Sequence, residues 1–323
     1  MIELKELLSN SRVLSMPLKT SFRGINHREL MVFEGETGFS EWSPFPEYTT
    51  KEASRWLKAS LEWLEKPRPE IKTQSITPNA TLPAVELDKI ESILSGFEHT
   101  KTIKIKIAEP GEPRTLDLQR IQKTTELYPE SKIRLDANGA MTIEQSMELV
   151  YWLKQQQVNL EYLEQPVASI EEMTQLRAEI QARDLEVLIA ADESIRKHTD
   201  PFEVDSKEAA DVMVVKWQPL GGIAEITDIA EKVSIPLVVS SALESAIGLN
   251  AGIWLACSLN SGFDPGLATS SLFVEDLVDQ LPMEAVEIEP DRSRLDKYAA
   301  DSETSERWRQ RLKNAYQELY SPE

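Results

Sequence analysis

The 323-residue chain has one cysteine, three histidines and no run of positive charge anywhere along its length. A single thiol excludes an internal disulfide, and the place of Cys257 in the apolar run Gly252-Ile253-Trp254-Leu255-Ala256-Cys257-Ser258 predicts a buried structural side chain. His27, His99 and His198 stand far apart without motif partners, which argues against a histidine-based zinc site or a Ser-His-Asp triad. Lys and Arg number 35 against 55 Asp and Glu, a formal net charge of −20. Nucleic acid needs clustered cations, so it is not expected as a partner, and an anionic membrane surface is disfavoured. The first ten residues carry no basic segment followed by an apolar one, and a cytoplasmic location is expected. The one long uncharged window, 245–263, contains Asn250, Asn260 and several Ser and Gly, and predicts a buried helix rather than a membrane span. No Walker or dinucleotide fingerprint is present.

What is present is a repeat of short β-branched runs, each followed by a longer amphipathic stretch. The runs lie at 102–107, 132–135, 160–163, 186–190, 212–215 and 236–239, with an earlier one at 75–82. The polar residues that end them, Lys106, Asp136, Glu164, Asp192, Lys216 and Ser240, follow one another at intervals of 24 to 30 residues, the length of a βα unit. Parallel strands joined by right-handed crossovers follow, closed into a barrel or left as an open doubly wound sheet. The first 70 residues read as a small α+β unit. Strands are expected at 13–16, 30–33 and 38–42, and a helix at 50–64 after the Thr49-Thr50 cap. Lys66-Pro67-Arg68-Pro69 marks the junction, which sets an N-terminal domain at 1–72, a barrel at 73–290 and a helical segment at 291–323. In that last segment Trp308, Leu312, Tyr316 and Leu319 form one helical face that packs on the rest.

In Thr102-Ile103-Lys104-Ile105-Lys106-Ile107, strand alternation sends Lys104 and Lys106 to one face and the isoleucines to the other. Inside a barrel, neighbouring charge and partial desolvation would depress a lysine pKa and make a general base. On a solvated edge strand the same lysines would guard against aggregation. The next three strands each end in an acid: Asp136, Glu164 and Asp192. Acids gathered at one mouth repel, so a cation belongs among them, and oxygen-only ligation suits Mg²⁺. Lys216 then ends the following strand, across the barrel from Lys104 and Lys106. Singly, each acid could be a helix cap and the lysine a solvated loop residue. Together they suit abstraction of a proton next to a carboxylate. Asn138 and Glu193 adjoin the acids, either as their partners or as turn and cap residues. Gly221-Gly222 reads as a tight turn. Ser240 and Ser241, in Ser240-Ser241-Ala242-Leu243-Glu244-Ser245, could bind a substrate carboxylate or cap a helix. Pro265-Gly266-Leu267-Ala268-Thr269 would form the last loop at the mouth, with Gly266 and Leu267 against the substrate.

With Lys104-Ile105-Lys106 as a KxK motif, Asp136, Glu164 and Asp192 in that order and Lys216 after them, nearly the whole chain resembles the enolase superfamily in its muconate-lactonising subgroup. Three segments sharpen the likeness: Trp42-Ser43-Pro44-Phe45-Pro46-Glu47-Tyr48, Asn79-Ala80-Thr81-Leu82-Pro83-Ala84-Val85 and 240–245. They are similar to the branch that dehydrates 2-succinyl-6-hydroxy-2,4-cyclohexadiene-1-carboxylate to o-succinylbenzoate in menaquinone biosynthesis. The resemblance implies a modified TIM-type (β/α)7β barrel with an N-terminal α+β capping domain, completed by the C-terminal segment. It implies Mg²⁺ on Asp136, Glu164 and Asp192, Lys106 as the base that also helps the hydroxyl leave, Lys216 on the opposite face of the enediolate, and Lys104 tuning Lys106. A loop at 16–23 would close over a small carboxylate substrate. Racemisation of N-acylamino acids and epimerisation of dipeptides use the same residues, and a catalytically silent scaffold is the reading of another class. Ala268 departs from the acidic residue often found in that last loop. The oligomeric state stays open.

Overall fold

The computed structural model describes residues 2–22, 24–97, 101–196 and 200–321, so His99 and His198 lie outside the described residues. After a short helix, Leu4–Ser9, come three antiparallel strands, β1 (Ser11–Phe22), β2 (Ile25–Gly35) and β3 (Gly38–Trp42), in the order β1-β2-β3. They outrun the expected 13–16 and 30–33 because the far end of the β1–β2 hairpin is polar and carries no apolar alternation. As far as Phe22 the expected closing loop at 16–23 is strand rather than loop. Residues up to Phe22 continue β1, Pro17 pairs with His27, the register shifts before Phe22 meets Ile25, and Arg23 lies outside the described residues.

The helix Thr50–Glu65 starts where expected. Thr49 accepts from the Glu52 backbone while the Glu52 side chain accepts from Thr49, a capping box that satisfies two otherwise orphaned N–H groups. Its inner face, Ala53, Trp56, Leu57, Leu61 and Leu64, shares a core with β1–β3 and with the helix Ser302–Leu319. That C-terminal helix buries Trp308, Leu312 and Ala315, with the Trp308 ring edge-on to Trp42 at 5.3 Å. Tyr316 and Leu319, expected on the buried face, are only partly covered, and the smaller Ala315 allows the closer approach.

Seven parallel strands follow: β4 (Ala80–Leu82), β5 (Thr102–Lys106), β6 (Lys132–Asp136), β7 (Leu160–Glu164), β8 (Ile189–Ala191), β9 (Val212–Val215) and β10 (Leu237–Val239), each hydrogen-bonded to the next. β4 is shorter than the expected 75–82, because Pro78 and Pro83 have no N–H to offer a ladder and Ser75 bridges Glu284 instead. β8 likewise begins later than the expected 186–190. The wall closes through Pro265 and Gly266: Gly266 N donates to Val239 O at 2.8 Å, and Asn79 N donates to Pro265 O at 2.9 Å. The eighth strand is thus reduced to a single bridge, Ser240 to Gly266, in a (β/α)7β barrel.

Alternation along the strands sorts the side chains. Ile103, Ile105, Ile133, Leu135, Leu163, Met213 and Val215 face outward into the layer packed by helices. Tyr162, Ala190, Val212, Val214 and Val238 fill the lower barrel interior with Phe263. The uncharged window forms the helix Ala246–Leu259, with Cys257 fully buried as expected and its thiol pushed up by burial. Among the described residues no helix is long and apolar enough to cross a membrane.

Candidate active site

Inward-facing positions at the C-terminal ends of β5 to β9 carry six charged groups. Lys104 Nζ lies 3.0 Å from Asp136 Oδ2 and 2.9 Å from Glu164 Oε1. Lys106 Nζ donates to Asp136 Oδ2 at 2.5 Å and to Asn138 Oδ1 at 2.9 Å. Lys216, four strands along from β5, pairs with Asp192. Both lysines of β5 therefore face the interior, and the solvated edge-strand reading falls. Asp136, Glu164 and Asp192 are all buried, with 0%, 0% and 1% of their surface exposed. Lysine ammonium groups stand between the acids, and among the described residues no three His, Cys, Asp or Glu side chains converge closely enough to hold a metal ion in this geometry.

Burial and charge act against each other here. Burial disfavours the Lys104 ammonium, but Asp136 and Glu164 outweigh it and hold Lys104 well above its ordinary range, the reverse of the depression expected from two neighbouring lysines. Burial pushes Asp136 up, yet Lys104 and Lys106 hold it well below the usual carboxylate range; Lys216 and Arg196 do the same for Asp192. Glu164 has less compensation. Burial and Asp136 push it up to about 7, against the pull of Lys104.

Neighbouring residues fix these groups in place. Asn138 takes a left-handed backbone, φ 47°, and reaches both Lys106 and Glu193, donating to Glu193 Oε1 at 3.2 Å. Gln165, overlooked in the sequence, also has positive φ; its Oε1 accepts from Asp192 N at 3.1 Å and Ser194 N at 3.0 Å. Arg196 was overlooked too. Its Nε donates to Asp192 Oδ1 at 3.2 Å, another nitrogen to Glu193 at 2.5 Å, and a third to the Tyr48 hydroxyl at 3.3 Å. The four-residue spacing from Asp192 to Arg196, one helical turn, was the available signal.

A cleft opens over this cluster. Its charged wall includes Lys104, Lys106, Asp192 and Lys216; its neutral wall includes Thr81, Ser240, Ser241, Gly266 and Thr269; Phe22, Phe45 and Tyr48 reach in from the cap. A Cβ on Gly266 would lie 2.6 Å from Ser240 Oγ and 3.3 Å from Ser240 Cβ, so a side chain there would turn the Ser240 hydroxyl aside. Leu267 is corrected: it turns outward and packs on Gly252 of the helix Ala246–Leu259, because alternation puts it on the face opposite Gly266.

Residues 13–63 match the enolase N-terminal domain-like family, and residues 91–289 match the enolase C-terminal domain-like family. The o-succinylbenzoate synthase of Mycolicibacterium smegmatis is 39% identical over 315 residues, covering 96% of each chain. The chain belongs to the enolase superfamily, in the o-succinylbenzoate synthase family. A second member of that family, from Mycobacterium ulcerans, is 38% identical over 323 residues, covering 98% of this chain and 96% of its own. The superfamily fold is shared with the muconate lactonizing enzyme of Pseudomonas fluorescens, solved with muconolactone, at a TM-score of 0.73 and 17% identity over 90% of this chain and 98% of that one. The enzyme from Pseudomonas putida gives 0.68 at 16% identity, with the same coverage.

Proposed function

We propose that this chain dehydrates 2-succinyl-6-hydroxy-2,4-cyclohexadiene-1-carboxylate to o-succinylbenzoate, a step toward menaquinone. The observation that carries the reading is the pair of lysines facing one cleft from β5 and β9 over three buried acids. Names of the family members at 38–39% identity support the product. Asp136, Glu164 and Asp192 supply only oxygen donors, a set suited to Mg²⁺, and Glu164 pushed up to about 7 is an acid short of positive charge. These three residues would hold the ion once Lys104 and Lys106 release the oxygens they now engage, and the ion would then supply Lewis-acid stabilisation of negative charge.

Lys106 would take the proton alpha to the ring carboxylate and return it to the departing hydroxyl, so that water leaves from the same face and the ring becomes aromatic. Asn138 and Asp136 orient its Nζ. Lys216, held by Asp192 on the opposite wall, would stabilise the enediolate electrostatically. Ser240, Ser241 and Gly266 would receive the remainder of the substrate against the neutral wall. Epimerisation of a dipeptide is less well served, since the lining after the last strands, Ser240 to Leu243 with Gly266 and Thr269, offers no acid for a substrate amine. N-acylamino acids have no such amine and remain a second substrate to assay.

The test is the ultraviolet absorbance of the cyclohexadiene with purified protein, with Mg²⁺ and with excess chelator. Rapid loss of the diene that stops on chelation is expected. A chain that leaves the diene intact with Mg²⁺ present does not have this activity.

A further inference from the structure

β3 carries Glu41 into the seam between cap and barrel, where it is fully buried. Its Oε2 accepts from Ser245 N at 3.0 Å, from Ser245 Oγ at 2.5 Å and from Gly248 N at 3.2 Å, in the first turn of the helix Ala246–Leu259. Glu244, equally buried, folds back so that its Oε2 accepts from Ala242 N at 2.5 Å. The remaining oxygen of each, Glu41 Oε1 and Glu244 Oε1, is buried without a hydrogen-bond partner. Both side chains converge on Gly248: a Cβ there would lie 2.8 Å from Glu244 Cγ and 3.0 Å from Glu41 Cδ. Two ionised carboxylates in this position could only accept, and both orphaned oxygens would lose their hydration without return. One protonated acid would donate to the other and satisfy both.

We propose that Glu41 and Glu244 share a single proton across the seam, and that the pair is a positioning device holding the 240–245 loop, with Ser240 and Ser241, against the cleft. The charges around it agree. Arg28 on β2 faces both acids while its guanidinium binds the carbonyls of Leu243 and Ser43, so two acids meet one cation. The Ser43 and Ser245 hydroxyls and the more distant Lys216 also favour charge, and Asp276 accepts from Ala246 N at the same helix end at 2.9 Å. Burial and Glu244 nevertheless push Glu41 up to about 8, and burial raises Glu244.

As pH rises past about 8 the shared proton leaves, two buried anions repel, and the loop loses its anchor. In the full-length protein, KM for the diene is expected to rise about tenfold per pH unit above that point, with kcat changing less. Glu41→Gln and Glu244→Gln each install a permanent donor in the same shape, so KM in either variant should stay within about twofold between pH 7 and 10. Infrared difference titration of the resting protein reads the protonated carboxyl without substrate, and so stands even if the diene is not turned over. The expected result is a carboxylic-acid band that titrates near pH 8 in the wild-type protein, separate from that of Glu164 near 7, and that both variants lack. Variants that keep the band, or whose KM climbs in parallel with wild type, overturn the proposal; should one variant fail to fold, the other gives the same reading.

Discussion

The barrel interior changes character within two residues along its strands. Lower down, Tyr162, Ala190, Val212, Val214 and Val238 make a dry plug. One inward position further along, the same strands present Glu164, Asp192, Lys216 and Ser240. The plug has its own charge, Arg134, but that guanidinium is committed downward: Nε donates to Glu161 at 2.6 Å, another nitrogen to Asn79 Oδ1 at 2.8 Å and to Asp264 O at 2.6 Å, and the group lies 4.7 Å from the Tyr162 ring centre. Asn79 and Asp264 belong to the two sides of the single-bridge closure, so Arg134 ties β6 across the barrel to the place where the wall is thinnest. The lower layer closes the barrel, and the upper layer spends that rigidity on groups which would repel one another without it.

Substitutions in the two layers should therefore separate chemistry from closure. The largest effect is expected in the upper layer, where Lys106→Ala should lower kcat for the diene by about 10² to 10⁴ while the melting temperature stays within a few degrees of wild type; a variant turning over normally would remove Lys106 from its role. In the lower layer, Arg134→Met takes the donor from Asn79 Oδ1 and Asp264 O while Glu161 keeps Lys132, and should cost about 1–3 kcal/mol of stability, read as a lower urea midpoint. An unchanged midpoint would mean that the plug does not depend on its arginine. Gly266→Ala sits where the layers meet the closure. A methyl group there turns the Ser240 hydroxyl aside, so KM should rise while stability falls by only about 1 kcal/mol, and an unchanged KM would show that this hydroxyl does not serve the substrate.

Most of the upper layer was legible because strand alternation is a local rule. Lys104 and Lys106 share a face in any strand, and the βα interval brings Asp136, Glu164, Asp192 and Lys216 to the C-terminal ends of successive strands, with Asp136 level with Glu164 and Asp192 two residues beyond Ala190, the partner of Glu164. The single-bridge closure was not legible, since Pro265 and Gly266 carry no strand pattern and act only through backbone hydrogen bonds. The Leu267 error has another source: alternation allows only one of the neighbours Gly266 and Leu267 to face inward, and both were placed there. Gln165 and the Glu41–Glu244 pair were hidden for a different reason. Their partners lie about 30 to 200 residues away, and single residues of that kind have no periodicity to announce them.

Trp308 stacks edge-on against Trp42, its indole N–H donates to Glu29 at 2.7 Å, and Arg311 donates to Pro44 O at 2.9 Å, so the cap's core is shared between the first and last stretches of the chain. Synthesis proceeds from one end at about 5–20 residues per second, so the strands β1–β3 and the helix Thr50–Glu65 wait on the order of ten seconds or more before the helix Ser302–Leu319 emerges. During that interval Trp42 lacks its partner while the barrel strands are already available to pair. A nascent chain of this architecture holds a partly covered cap core until the segments that pack on it, from Leu243 to the helix Ser302–Leu319, have emerged.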